Sequence, residues 1–118
     1  MISSPAAINF DIRGYQTYNP QSGSPSLITT AGDNIIYTPA LGNRIRIKWI
    51  GLRTPRDNAP DIEVIIKIGS ANIYRWYMTK LDLFSHSTIR EGAVNEPLIV
   101  NLSVNSNLYV NFDLEEFT

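Results

Sequence analysis

Large apolar residues occupy every second position in four stretches of this sequence, and this alternation constrains the fold more than any other feature. A period of two residues is that of a β-strand with one buried and one solvated face. The four stretches therefore predict strands that fill one shared interior. The alternating positions are Ile45, Ile47 and Trp49; Ile62, Val64, Ile66 and Ile68; Leu98, Val100, Leu102 and Val104; and Leu108, Val110, Phe112 and Leu114.

Turn-forming residues separate the strands. Residues 69–72 (GSAN) predict a hairpin between the second row and an aromatic segment at 73–78, and residues 105–107 (NSN) predict a second hairpin between the last two rows. The alternation slips after Trp49, so Gly51 is expected to mark a β-bulge. A helical period of 3.6 residues is absent from the sequence. We therefore predict an all-β fold, an antiparallel β-sandwich of jelly-roll-like type, with an immunoglobulin-like topology as the alternative that the pattern alone leaves open.

The first thirty residues differ from the rest in their content of proline, glycine and serine. We expect residues 1–30 to form an extended N-terminal arm and residues 31–118 to form the β-sandwich domain, since 118 residues suffice for one core. The arm would pack on its own domain or reach a neighbouring subunit. A frayed terminus followed by one edge strand is the alternative.

Composition excludes several classes of function. Ten basic and eleven acidic residues give a net charge of −1, which disfavours nucleic acid as a partner. With no cysteine and a single histidine, His86, we expect no cofactor and no metal site. The apolar stretches are far shorter than the roughly 20 residues that cross a bilayer, and the N-terminus lacks a signal-peptide pattern. We expect no membrane association and synthesis in a cytoplasm.

Catalytic motifs are also missing. A serine nucleophile would need His86 as its base, with Ser85 or Ser87 beside it and Asp82 to orient it. Neighbouring strand residues point to opposite faces, so a loop position for His86 is the preferred interpretation. The acidic clusters near the C-terminus and around residues 57–63 are expected to be solvated surface charge. We therefore predict that the chain is not an enzyme.

A row of cations, Arg44, Arg46 and Lys48, lies on one face of the first predicted strand. The simpler interpretation is a solvated face with cross-strand acidic partners such as Glu63 or Asp113. The functional interpretation is a docking strip for an acidic surface of a partner subunit.

Aromatic residues supply the second candidate surface. Tyr74, Trp76 and Met78 face one way on their strand, and Ile73, Arg75 and Tyr77 face the other. Because only one side can join the core, the other must expose a large aromatic ring, which suits a sugar platform or a subunit interface. The candidate partner-interface residues are Arg44, Arg46, Lys48, Tyr74 and Trp76.

The order of these features resembles a known class of protein. Segment 31–39 (AGDNIIYTP) leads into 42–47 (GNRIRI), and after two strands come 95–103 (NEPLIVNLS) and 107–112 (NLYVNF). This order is similar to that of the small β-sandwich virion proteins of tailed bacteriophages, which are head decoration or cement proteins and fibre or tail-tip domains.

The resemblance implies a non-enzymatic virion protein that is made in the host cytoplasm and then located in the virion. It further implies a homo-oligomer, with a trimer favoured, whose partners are phage capsid or other virion proteins. The expected function is capsid decoration, in which the protein stabilises the particle through subunit contacts. The alternative is a carbohydrate- or receptor-binding module of a phage fibre or tail tip, in which Trp76 or Trp49 would stack on sugar rings.

Overall fold

The structure is a computed structural model that describes residues 19–54, 61–79 and 83–118. Among these residues there are eight strands and no helix, hence no helix able to span a membrane. The strands are β1 (Asn19–Ile28), β2 (Gly32–Tyr37), β3 (Arg44–Arg53), β4 (Ile62–Ile68), β5 (Ala71–Met78), β6 (Leu83–Glu91), β7 (Leu98–Leu102) and β8 (Leu108–Phe117).

The strands form two antiparallel sheets of four strands each. The first sheet has the order β1-β8-β3-β6 and the second sheet has the order β2-β7-β4-β5. The chain crosses from one sheet to the other at every connection except β4 to β5, which is the arrangement of a jelly roll built from two Greek keys. The predicted all-β, jelly-roll-like sandwich is confirmed.

The core lies between the facing sides of the two sheets. In β4 and β8 every second side chain is buried, as the period of two requires. Thirteen of the fifteen alternating positions that the sequence indicates are buried in this core; the exceptions are Trp49 and Val104. The fully or nearly fully buried members include Ile45, Ile50, Leu52, Ile62, Val64, Ile66, Met78, Leu98, Val100, Leu102, Leu108, Val110 and Leu114.

The bulge in β3 is at Lys48 and not at Gly51. The register shifts between Ile47 and Trp49 against both neighbouring strands, whereas Gly51 pairs regularly with Ser85 and Asn111. The extra residue reverses the faces after it, so that Ile50 points into the core and Trp49 lies on the outer face. The expectation that Trp49 continues the buried row is therefore wrong.

The two predicted hairpins have different outcomes. β4 and β5 pair with each other across Gly69, whose φ of 58° suits a glycine in a tight turn. β7 and β8 do not pair, because β7 lies between β2 and β4 while β8 lies between β1 and β3. The second predicted hairpin is thus a crossing between the sheets. Val104 lies in this crossing after β7 has ended, and it is 37% exposed.

The sandwich begins before residue 31. β1 covers Asn19–Ile28 and pairs with β8, so these residues belong to the first sheet although the sequence analysis placed them in the arm. Residues 1–18, the rest of the predicted arm, lie outside the described residues.

A matched pair of leucine substitutions tests this division into core and surface. Leu102 is 1% exposed and Leu41 is 92% exposed. We expect Leu102→Ala to lower the free energy of unfolding by about 2–5 kcal/mol, because it leaves a cavity between the sheets. Leu41→Ala should change the same free energy by less than about 0.5 kcal/mol. Urea unfolding measures both, and equal effects would contradict the assignment of the core.

Candidate interaction surfaces

The carboxylate of Glu116 organises one end of the sandwich. It lies near the end of β8 and its residue is 6% exposed. The connection from β2 to β3 crosses between the sheets here, and its backbone amide at Ala40 donates to Glu116 Oε2 at 2.7 Å. Asn43 Nδ2 donates to the same oxygen at 2.6 Å, and the Tyr37 hydroxyl donates to Oε1. One charged group thus fixes the loop that joins the two sheets.

The same contacts shift two pKa values. Burial alone would raise the pKa of Glu116, but the hydrogen bonds from Tyr37, Asn43 and Ala40 favour the charged form and lower it. Burial, followed by the hydrogen bond and the negative charge of Glu116, raises the pKa of Tyr37 to about 12. Glu116 is therefore an anion that holds structure together at neutral pH.

A second loop is joined to the first. Asn95 donates from its backbone to Asn43 O at 2.7 Å and accepts from Gly42 N through Oδ1 at 2.6 Å. Its φ of 68° is a left-handed conformation that asparagine tolerates. We call residues 38–43 and 92–97 the end loops. They present two exposed apolar side chains, Leu41 at 92% and Val94 at 51%.

The basic row has acidic partners, as the simpler interpretation expects, but the partners differ from those named. Arg46 contacts Glu91 at 2.8 Å and Glu115 at 3.4 Å, and these carboxylates belong to the strands on either side of β3. Arg44 also reaches Glu91, at 3.5 Å, and Lys48 reaches Glu115 at 4.0 Å. The row is therefore largely neutralised within the chain.

The suggested partners of that row lie elsewhere. Glu63 pairs with Arg75 at 3.0 Å on the outer face of the second sheet. The side chain of Asp113, opposite Trp49 in β3, makes no hydrogen bond or ion pair with any part of the chain that the structure describes. The observed partners differ from the expected ones because the order of the strands in a sheet decides which acidic residues lie beside which basic residues. The alternation of apolar residues does not encode that order.

Tyr74 and Trp76 close one edge of the sandwich. They lie on the inner side of β5, an edge strand of the second sheet, and meet Phe84 and His86 of β6, an edge strand of the first sheet. Ring centroids are 4.4 Å apart for Tyr74 and His86 and 4.4 Å apart for Trp76 and Phe84. This seam holds the two edges together, with Trp76 still 44% exposed. On the opposite face of β5, Tyr77 is 71% exposed, so the expectation of an exposed aromatic there holds.

His86 lies in strand β6 and not in a loop, contrary to the preferred interpretation. Its ring packs on Tyr74 toward the interior, while Ser85 and Ser87 lie on the outer face beside Gly51 and Trp49. Neither serine is directed toward the imidazole, and Asp82 lies outside the described residues. The arrangement serves packing at the seam.

The outer face of the first sheet carries an aromatic group that sequence reasoning put in the core. The Trp49 indole lies over Gly51, with its Cη2 and Cζ2 atoms 2.5 and 2.7 Å from where a Cβ atom on Gly51 would stand. Trp49 Nε1 donates to Ser85 Oγ at 2.8 Å. A glycine two residues after a tryptophan in a strand was the available signal, because residues i and i+2 share a face.

The polar cluster around Asp33 is engaged within the chain. Asp33 accepts from Asn101 Nδ2 at 2.7 Å and from Lys67 Nζ at 3.2 Å, and these bonds lower the pKa of its carboxyl group. In the described ranges, no three His, Asp or Glu side chains are placed to hold a metal ion. A cleft of about 250 Å³ beside Arg90, Glu91 and Glu96 is below the roughly 300–1,000 Å³ of ligand pockets. The outer surfaces are therefore the candidate sites.

Substituting Glu116 tests its role in fixing the end loops. Glu116→Gln keeps the shape but removes the charge and turns one accepting oxygen into a donor, so the side chain can no longer accept from all three donors, those of Tyr37, Ala40 and Asn43. We expect a loss of about 1.5–3 kcal/mol in the free energy of unfolding at pH 7. Because the folded pKa lies below the unfolded value of about 4.3, the advantage of the wild type should be complete above that pH. It should shrink as the pH falls through the folded pKa.

Tyr37→Phe is the matched variant, since it removes one donor and keeps the charge. We expect it to cost about 1 kcal/mol and to retain the pH dependence that Glu116→Gln loses. Urea unfolding at several pH values compares the three proteins. Equal stability of Glu116→Gln and wild type at pH 7 would contradict the role of the carboxylate.

Comparison with known proteins gives one finding about the fold. No protein-family model matches the chain, and no curated protein sequence matches it. Among solved structures, the chain is similar to a protein of Bacillus endospore appendages, which form a family of disulfide-linked pili. The TM-score is 0.55 at 10% identity, covering 94% of this chain and 96% of the other. The likeness supports the all-β fold predicted from the alternation; the neighbour is a bacterial appendage protein, so it gives no support that is specific to phage virion proteins.

Proposed function

We propose that this chain is a non-enzymatic structural subunit that associates with further copies of itself. The observation that carries the proposal is the pair of end loops, which present Leu41 and Val94 to solvent on a backbone fixed by Glu116 and Asn95. Covering an apolar side chain that is 92% exposed removes it from water and so lowers the free energy of the complex. Because the loops are already ordered, covering them costs little conformational entropy.

The chemistry of the surface supports a structural role over a catalytic one. The cations of β3 and the carboxylates beside them neutralise each other, and Asp33 is engaged with Lys67 and Asn101. The cleft beside Glu96 is small and its carboxylate caps a neighbouring backbone amide, that of Ala93, at 2.8 Å. Groups that are committed in this way stabilise the sandwich and offer no poised acid, base or nucleophile.

Assembly of these residues would have to proceed without disulfide bonds. The similar appendage protein forms disulfide-linked pili, whereas these 118 residues contain no cysteine. Buried contact area must then provide the stability that disulfide bonds provide in the appendage protein. Each fully buried leucine or valine contributes about 1.5–3 kcal/mol. We propose that the end loops are one such contact and that residues 1–18 supply another.

For the kind of assembly, the resemblance to tailed-phage proteins supports capsid decoration in the virion, with a trimer as the favoured oligomer. The likeness to a pilus protein supports repeated association along a filament instead. In both cases a rigid sandwich joins its neighbours through outward surfaces. The carbohydrate- or receptor-binding alternative needs an exposed aromatic ring rather than the end loops.

Charge placed in the end loops should weaken self-association. We expect the double variant Leu41→Asp, Val94→Asp to shift the association midpoint of the full chain by about tenfold or more in concentration, because two carboxylates would lose their water in the contact. Leu27→Asp, at an exposed apolar residue near the opposite end of the sandwich, is the matched control and should leave the midpoint unchanged. Sedimentation velocity over a concentration series measures all three. The proposal fails if the wild type stays monomeric, or if the double variant associates as the wild type does.

Removal of residues 1–18 tests the predicted arm without cutting β1, which begins at Asn19. We expect the shortened chain to unfold at the same urea concentration as the full chain and to bind less tightly to its neighbours. Light scattering, of each protein alone and with empty phage capsids, compares the two. Unchanged oligomer mass and unchanged capsid binding would count against an exchanging arm.

A further inference from the structure

Trp49 is held as a fixed plate on the outer face of the first sheet. Its benzo ring rests on Gly51, where only a hydrogen leaves room for it, and its Nε1 is tied to Ser85 Oγ at 2.8 Å. The residue is partly exposed in the middle of the sheet, with β8 on one side and β6 on the other. Two constraints thus fix the indole before any partner arrives, so binding to it would cost little entropy.

Unengaged polar side chains surround this plate. Asp113 is the cross-strand neighbour of Trp49 in β8, and Asn111 is the neighbour of Gly51 in the same strand. Ser87 is the neighbour of Trp49 in β6. Within the described part of the chain, none of these three side chains makes a hydrogen bond or ion pair, although Asp113 and Asn111 are partly buried. The neighbouring strands therefore offer a carboxylate, an amide and a hydroxyl beside the plate with their bonding capacity unused.

We infer that this face binds a carbohydrate, with one sugar ring stacked on Trp49 and its hydroxyls bonded by Asp113, Asn111 and Ser87. The negative face of an indole attracts the positively polarised C–H groups of a pyranose ring. Hydroxyls at the rim of that ring both donate and accept, which matches a carboxylate on one side and an amide and hydroxyl beside it. Three strands span about 10 Å, which is the width of one or two sugar units.

The immediate surroundings favour a carbohydrate over a protein partner. The fully buried centre of a protein interface is apolar, and charged residues are depleted there. Here the indole has polar cross-strand neighbours, Asp113 and Ser87, and a protein surface would have to desolvate both. The inference is independent of self-association through the end loops, and it gives a site to the alternative function.

Trp76, the other tryptophan, is a poorer platform. Its ring packs against Phe84 at 4.4 Å between centroids as part of the seam, and Tyr74 beside it packs on His86. The polar side chains near β5 that could orient a sugar lie on the outer face of the second sheet, whereas Trp76 lies on its inner side. Trp76→Phe therefore provides a background in which Trp49 is the sole tryptophan.

The test is fluorescence titration of the full chain carrying Trp76→Phe with cello-, malto-, xylo-, manno- and chitohexaose. We expect saturable quenching of Trp49 by at least one of these probes. Trp49→Ala and Asn111→Ala, followed by calorimetric titration, should weaken its binding by about tenfold or more. Gly51→Ala keeps the tryptophan but displaces its ring, and it should weaken binding similarly.

Thermal unfolding establishes that each variant is folded, and the Gly51 and Asn111 variants keep the test decisive if Trp49→Ala does not fold. Absence of saturable binding to every probe overturns the inference, as does unchanged affinity in Trp49→Ala. If Trp49→Ala changes the oligomer mass and no probe binds, the face contacts protein copies and not sugar. If the end-loop double variant no longer self-associates but still binds the sugar, the carbohydrate site is separate from the self-association contact.

Discussion

Two apolar sheet faces share one interior in this protein, and every other property of the structure follows from that packing. Each strand gives alternate residues to the interior and presents the others on an outer face of the sandwich. The described strands fill the space between the sheets with buried apolar side chains. The outer faces, the edges and the ends are therefore the surfaces that the described residues offer for recognition.

The ends and edges are closed by specific polar and aromatic contacts. Glu116 satisfies the loop that crosses from β2 to β3, and the two end loops bond to each other through Asn43 and Asn95. At one edge, Tyr74 and His86 join strands of different sheets. These contacts hold the loops and edges in one conformation, so the surfaces that they form are fixed before any partner binds. Because a preformed surface loses little entropy on binding, it suits repeated contact with identical or flat partners.

The alternation of apolar residues was enough to predict the fold class and the inward side of β4 and β8, because burial has the same period as the strand. It could not predict which strands pair. β7 and β8 were predicted to form a hairpin, yet they belong to different sheets. Both strands are apolar on one side, so the alternation is the same whether they pair with each other or face each other across the core. The bulge at Lys48 was also hidden, and with it the outward position of Trp49, because one extra residue changes the face without changing the composition.

The candidate site was predictable only in part for the same reason. The cations of β3 were recognised from their own strand, but their partners Glu91 and Glu115 come from strands more than forty residues away in sequence. Glu116 gave no signal at all, since its partners at residues 37–43 are brought to it by the crossing of the two sheets. A surface built from several strands can be predicted only when the order of the strands is known. That order follows from tertiary packing, which no local sequence pattern records.

The central claim is that this sandwich acts through its outward surfaces as a repeated building unit. Cryo-electron microscopy of the concentrated full chain, in the presence of a reducing agent, tests it most directly. The account predicts ordered multimers whose copies contact one another at the end that carries Leu41 and Val94. Single sandwiches at every concentration, or multimers that leave that end in solvent, would contradict it.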